Sequence, residues 1–269
     1  MSVMDPEEIK DDQDFYRRYH ALVDAFIDAV CHEETNKGEL RTLISEADAI
    51  VTRETGSTLE SNLVNRLSFR HEDEGRTPLS YAVAKNLKQK VYDLIDLGAE
   101  VSKAMPSDDG VSKSHDAETF PTTALVIAAT NKRRDGTEMV RILLSKGANP
   151  SELAAAKVEE KSLNIGMKYW IDKARRVGVP AREELLHLKN TPPMDRIHEL
   201  DYAVVGEEAA VTVIQESLAG RFGNPQGNAK PLVMLLLGPP GKPLLFPSVV
   251  SEFCQFTLPI SVATTSYIS

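Results

Sequence analysis

G-R-T-P-L-S-Y-A-V, from Gly75 to Val83, is followed by V-Y-D-L-I-D-L-G-A-E-V, from Val91 to Val101. The same two strings return as T-A-L-V-I-A-A (Thr123–Ala129) and M-V-R-I-L-L-S-K-G-A-N-P (Met139–Pro150). Thr77, Leu79 and Ala82 recur as Thr123, Leu125 and Ala128 at a spacing of 46, and Gly98 recurs as Gly147 at a spacing of 49. Each copy reads as two short helices. The Thr77 hydroxyl can accept from an unpaired N–H at the start of the first helix, and Pro78 fits its first turn, where no N–H partner is needed. Leu79 and Ala82 then face a neighbouring helix. Gly98 and Gly147 close the second helices, where a glycine accepts the left-handed backbone that a side chain penalises.

These strings resemble the ankyrin repeat, whose pattern is G-x-T-P-L-H-x-A, a helix, and a second helix ending in L-L-x-x-G-A. Ser80 stands at the position of the family's histidine, which places the hydrogen bond tying adjacent repeats in question. The two copies lie further apart than the usual ~33 residues. The excess falls in Met105–Phe120, rich in Ser, Asp and Gly, which reads as an exposed inserted loop, and in Lys132–Gly136, which lengthens the inner turn. The expected fold is mainly α, a helical repeat stack over residues 71–150 with helical caps. The resemblance implies a protein partner held on the concave face.

A stack needs roughly three units to bury a continuous core, so the flanks must complete it. Residues 1–70 supply one cap. Phe15, Tyr19, Leu22, Phe26 and Val30 form a helical stripe, Lys37–Arg53 a second helix with Leu40, Leu43, Ile44, Ala47 and Val51 inward, and Leu59–Leu67 a third. Residues 151–190 supply the other cap and a linker. Leu163, Met167, Trp170, Ile171 and Ala174 share one helical face, a further helix runs from Pro180 to Leu188, and Thr191–Pro193 marks the linker. Trp170 is expected inside. His20 and His32 have no carboxylate or cysteine at a ligand spacing and are expected at the surface.

Residues 191–242 carry L-D-Y-A-V-V-G-E-E-A-A-V-T-V-I-Q-E-S-L-A-G-R (Leu200–Arg221) and P-L-V-M-L-L-L-G-P-P-G-K (Pro231–Lys242). This resembles the entry to the AAA+ module of Clp-type unfoldases and disaggregases. The order of modules resembles ankyrin-containing Clp homologues, fungal-type ones above all. The resemblance implies an incomplete α/β element made of a helix, one strand at Leu232–Leu237 and a phosphate loop. Val204, Val205 and Gly206 would match the family's adenine-side element, with Glu207 in place of glutamine, and the helix from Glu207 to Ala219 would turn Ala210, Val213, Ile214 and Leu218 inward. Gly238, Pro239, Pro240, Gly241 and Lys242 would be a vestigial phosphate loop. A working loop is G-x-x-x-x-G-K-S/T. Counted from Gly238 the sequence instead has Pro243, Leu244 and Leu245 at the last three positions. The match therefore reads as cut inside the loop, with residues 243–269 an unrelated, uncharged and irregular tail apart from Glu252.

From this follow the functional expectations. The family uses ATP and Mg2+ to remodel client proteins, and relatives assemble as hexamers; this chain is expected to hold no cofactor, no metal and no catalytic residue, and not to form the hexamer. It is expected to act as a protein-binding module, the alternative being an ATP-binding AAA+ subunit in protein quality control. Residues 1–60 hold 15 acidic and 6 basic side chains and the remainder 25 of each, so the net charge of −9 sits in the first segment. Phosphate neutralisation needs clustered Lys and Arg, so nucleic acid is not the expected partner. No apolar run approaches the ~20 residues of a spanning helix. Cys31 and Cys254 show neither disulfide nor zinc spacing. A cytoplasmic location is expected, with a mitochondrial one as the family's alternative.

Overall fold

The computed structural model describes residues 13–55, 62–66, 76–105, 122–131, 135–177, 199–206 and 208–222. Two compact units divide the chain, residues 1–172 and 173–269.

In the first unit, α1 (Gln13–Cys31) and α2 (Lys37–Thr55) pack as a helical hairpin. α1 buries Phe15, Tyr19, Val23, Phe26, Ile27 and Val30, while Leu22 of the expected stripe is half-exposed. The aromatic residues Phe15 and Tyr19 stack with ring centroids 5.9 Å apart, which sets the register of that end of the helix. α2 sends Leu40, Ala47 and Val51 inward, with Leu43 and Ile44 at the margin. Its start is fixed by a reciprocal cap: Glu39 N–H donates to Asn36 Oδ1 at 3.0 Å and Asn36 N–H to Glu39 Oε2 at 3.3 Å.

The expected third helix over Leu59–Leu67 is not formed in its described part. Leu63–Asn65 is a single 3-10 turn, entered through Asn62 at φ 51° and left through an extended Arg66. Asn65 spends its side chain on a distant loop, described below, which a continuing helix would prevent.

The two sequence copies form α3 (Pro78–Ala84) with α4 (Lys88–Asp96) and α5 (Ala124–Thr130) with α6 (Thr137–Ser145). α3 packs against α1 on one side and α5 on the other, so the first helices make a continuous row that α7 (Ser151–Ala155) extends beyond α5. The residues from Ser151 to Ala174 form two α-helical stretches with a 3-10 turn between them rather than an unbroken run. Lys157, at φ 51°, breaks it, its successor Val158 donating back to Leu153 O at 2.9 Å. A 3-10 turn (Glu160–Ser162) and α8 (Ile165–Val177) follow. Met167, Trp170, Ile171 and Ala174 of α8 are buried, as the periodicity requires; Leu163, expected on the same helical face, is buried too but stands in extended backbone ahead of the helix.

In the second unit, α9 (Leu200–Ala203) packs on α10 (Glu208–Phe222). α10 buries Val211, Ile214 and Leu218. Val213, expected inside, is 62% exposed, and Ala210 is intermediate. Polar and apolar residues are mixed around this helix, so periodicity fixed the stripe poorly. The Gln215 amide, bonded to Asp201 Oδ2 at 2.8 Å, helps select the face turned to α9. The expected strand Leu232–Leu237, the loop Gly238–Lys242, the helix Pro180–Leu188, the linker Thr191–Pro193 and the tail 243–269 lie outside the described residues. Among the described residues no helix is long and apolar enough to cross a membrane, and the sole β pairing is an isolated bridge.

Candidate protein-binding surface

The residues shared by the two copies build the stack from within. Thr77 Oγ1 accepts the Ser80 N–H at 3.2 Å and Thr123 Oγ1 that of Val126 at 3.5 Å, each capping its helix. Pro78 stands in the first turn of α3. Leu79, Ala82, Leu125 and Ala128 are each at most 1% exposed. Gly98 at φ 99° and Gly147 at φ 94° close the second helices, Ala99 N–H returning to Leu94 O and Ala148 N–H to Leu143 O, at 2.9 and 3.0 Å. Asn86, at φ 59°, makes the same closure after α3, with Leu87 N–H on Ala82 O at 2.9 Å.

Ser80 does not reach a neighbouring repeat; its hydroxyl turns back to Thr77 O at 2.7 Å. Ties between units come from elsewhere. Thr123 Oγ1 donates to Glu152 Oε2 at 2.7 Å, joining the cap of α5 to α7. The Asn131 amide donates to Ala84 O at 3.1 Å, joining the ends of α5 and α3. Lys37 on α2 meets Asp96 on α4 at 2.8 Å.

Four further positioning residues were not singled out from the sequence. Asn65, 7% exposed, donates to Gly98 O at 3.0 Å and accepts the Glu100 N–H at 2.7 Å, so one amide pins the finger that follows α4. The repetition of Val64-Asn65 as Val101-Ser102 ahead of the next copy was the available signal. Met105 pairs antiparallel with Thr122, at 2.8 and 3.2 Å, closing the base of the inserted segment, and its sulfur receives the Thr77 N–H at 3.3 Å. Gly136 lies so close to α5 that a Cβ there would stand 2.1 Å from Ala128 O. Asp135 accepts from the Thr137 hydroxyl at 2.6 Å, the Thr137 N–H at 3.0 Å and the Asn164 amide at 3.0 Å, while Asn164 Oδ1 caps α8 through Met167 N–H at 2.7 Å. The Thr137 hydroxyl first, then its N–H, hold the Asp135 carboxyl below its ordinary value of about 3.8; slight burial opposes them, and Asn164 and the Lys88 charge assist.

What remains for a partner is the set of positions at which the copies differ. Pro78–Val83 of α3 are all buried, so its own side chains offer little surface. The exposed residues are Lys85, Lys88, Gln89 and Asp96 around α4, then Glu100, Ser102 and Ala104 on the finger. The counterparts of Lys85, Lys88, Gln89, Asp96 and Glu100, namely Asn131, Thr137, Glu138, Ser145 and Asn149, have other chemistry, Ser102 recurs as Ser151, and Val91, Leu94 and Ala99 repeat unchanged inside as Val140, Leu143 and Ala148.

Of the expected nucleotide residues, three are described. Val204 is half-buried with its carbonyl engaged by Lys173 Nζ at 3.3 Å, Val205 is 60% exposed, and Gly206 has φ 86° with open space where a Cβ would stand. Beyond the turn, Pro243, Leu244 and Leu245 stand where a phosphate loop counted from Gly238 requires glycine, lysine and a hydroxyl.

The ankyrin repeat family model matches residues 122–154, the second copy and the start of α7. No curated protein and no solved structure matches the chain.

Proposed function

We propose that this ankyrin-repeat chain is a protein-binding module whose contact surface is the exposed edge formed by α4 and the finger after Gly98, and that it does not turn over ATP. The observation that carries the reading is the division of labour between the copies. The buried Thr77, Leu79, Ala82, Val91, Leu94 and Ala99 repeat as Thr123, Leu125, Ala128, Val140, Leu143 and Ala148, other buried positions such as Lys90 and Met139 vary, and the exposed charges of the first copy are not repeated in the second, so that the scaffold is kept while its surface differs. The segment 191–242 is read as related to the entry of a Clp-type AAA+ module, with Val204, Val205, Gly206 and Gly238–Lys242 as its vestiges. The motif order supports that relation, and the departure at Pro243–Leu245 speaks against catalysis.

The test uses the full chain as bait with cross-linking mass spectrometry. The expected partner cross-links to Lys88 or Lys103 and loses about tenfold or more in affinity in the double variant Lys88→Glu, Glu100→Lys, since both charges are exposed and reversal costs little stability. A partner indifferent to that variant, cross-linked only outside residues 76–150, overturns the surface. Magnesium-dependent ATP turnover that is lost in Lys242→Ala overturns the second half of the reading and favours an ATP-binding chaperone subunit.

A further inference from the structure

Lys173 is a lysine in a buried stripe. On α8 the neighbouring Trp170, Ile171 and Ala174 are buried apolar residues, and Lys173 itself is 8% exposed. An ammonium placed there must find acceptors, because a desolvated charge without partners is strongly unfavourable. Two are in reach. Nζ donates to Val204 O at 3.3 Å and lies 3.8 Å from Glu208 Oε1.

The positions of these acceptors give the contact its meaning. Val204 is the C-cap of α9, its N–H already bonded to Leu200 O, so its carbonyl is one of the acceptors that a helix end leaves open. Glu208 stands in the first turn of α10, where a carboxylate complements the N-terminal end of a helix. One ammonium therefore grips both ends of the turn that joins α9 to α10. Between the grips, Gly206 at φ 86° reverses the chain in a conformation that a side chain would penalise. Val205 is exposed, and the Gln215–Asp201 bond fixes α9 against α10 without touching residues 204–208.

We propose that Lys173 is the positioning residue of the Val204–Val205–Gly206 turn, and that this lysine, rather than a bound nucleotide, sets the turn's conformation. The turn thus resembles a nucleotide-contact element in sequence while being ordered by the chain's own side chain. The inference is independent of the protein-binding surface.

Hydrogen exchange measured by mass spectrometry on the full chain tests it, read at peptides covering residues 200–210 with residues 122–154 as internal reference. In the unmodified protein the Ala203 and Val204 amides, bonded to Glu199 and Leu200 carbonyls, are expected to be protected without nucleotide and unchanged by millimolar ATP with Mg2+. Lys173→Met keeps the apolar stem and removes the charge. It is expected to raise exchange in that window about tenfold or more, the range for losing one charge-assisted hydrogen bond, with the reference unchanged. Lys173→Arg is expected to restore most of the protection. Should Lys173→Met fail to fold, Glu208→Gln on the exposed side decides; it is expected to raise exchange about two- to threefold by removing the second grip. Exchange within error of the unmodified protein in Lys173→Met, or in Glu208→Gln where only that variant folds, overturns the proposal. So does protection that appears only when ATP with Mg2+ is added.

Discussion

Replacing Asn65 by Ala is expected to destabilise the repeat unit by about 2–3 kcal/mol. The amide makes three hydrogen bonds: to Gly98 O at 3.0 Å, from Glu100 N–H at 2.7 Å, and to Asn62 Oδ1 at 3.2 Å. Each is worth about 1 kcal/mol net, and a freed group left buried adds about 1–3 kcal/mol more. Exposure decides between these. Asn62, Gly98 and Glu100 are exposed, so water can take over their groups and the loss stays near the net value. Asn65→Asp is the sharper variant. It can still accept from Glu100 N–H, but it replaces the donor facing Gly98 O with an oxygen in a nearly buried position. It is expected to cost at least as much as Asn65→Ala. Urea unfolding followed by far-ultraviolet circular dichroism, compared at equal m, measures both. A loss under about 0.5 kcal/mol for Asn65→Ala, or Asn65→Asp more stable than Asn65→Ala, would refute the clamp and leave Asn65 a filler of space.

Left-handed positions give a paired expectation: Lys157→Gly at φ 51° should stabilise by about 0.5–1 kcal/mol, while Gly147→Ala at φ 94° should cost about 1 kcal/mol or more, read as shifts in Tm. Lys90 is 3% exposed on α4 where the second copy places the buried Met139. Lys90→Met should therefore stabilise by about 1 kcal/mol in urea unfolding, and a loss of stability would show that the ammonium is needed there. The Asp135 carboxyl lies below its ordinary value in the folded chain, so the unfolded chain takes up its proton first as pH falls. Its stabilising contribution is present above about 3.8 and declines below that value, through the folded value. Asp135→Asn should flatten this part of the stability–pH profile, and an unchanged profile between pH 5 and about 2.5 would count against the network with Thr137 and Asn164.

Much of the stack was legible because its rules are local. Thr77 and Thr123 cap the helix that they begin, Gly98 and Gly147 terminate the helix that they follow, and the spacing of Met167, Trp170, Ile171 and Ala174 fixes one face of α8. Readings failed where a distant partner or a weak period decided. Leu63–Asn65 has helix-compatible residues but is held as a 3-10 turn by bonds to a loop more than 30 positions away. α10 mixes polar and apolar residues around its circumference, and tertiary packing selected Val211 over Val213.

The sequence alone determined the repeat, because two copies of one capped helix pair, in the same order, constrain backbone conformation residue by residue. Only the tertiary structure decided what ties the units and what is left for a partner. Asn65, Glu152, Asn131 and Met105 act through contacts between segments distant along the chain, and such contacts leave no period behind. The inner motif residues, which carried the resemblance, proved to be the buried ones. The surface available for recognition belongs to positions that the repeat pattern leaves unspecified, because solvent tolerates almost any polar side chain while a packed core does not.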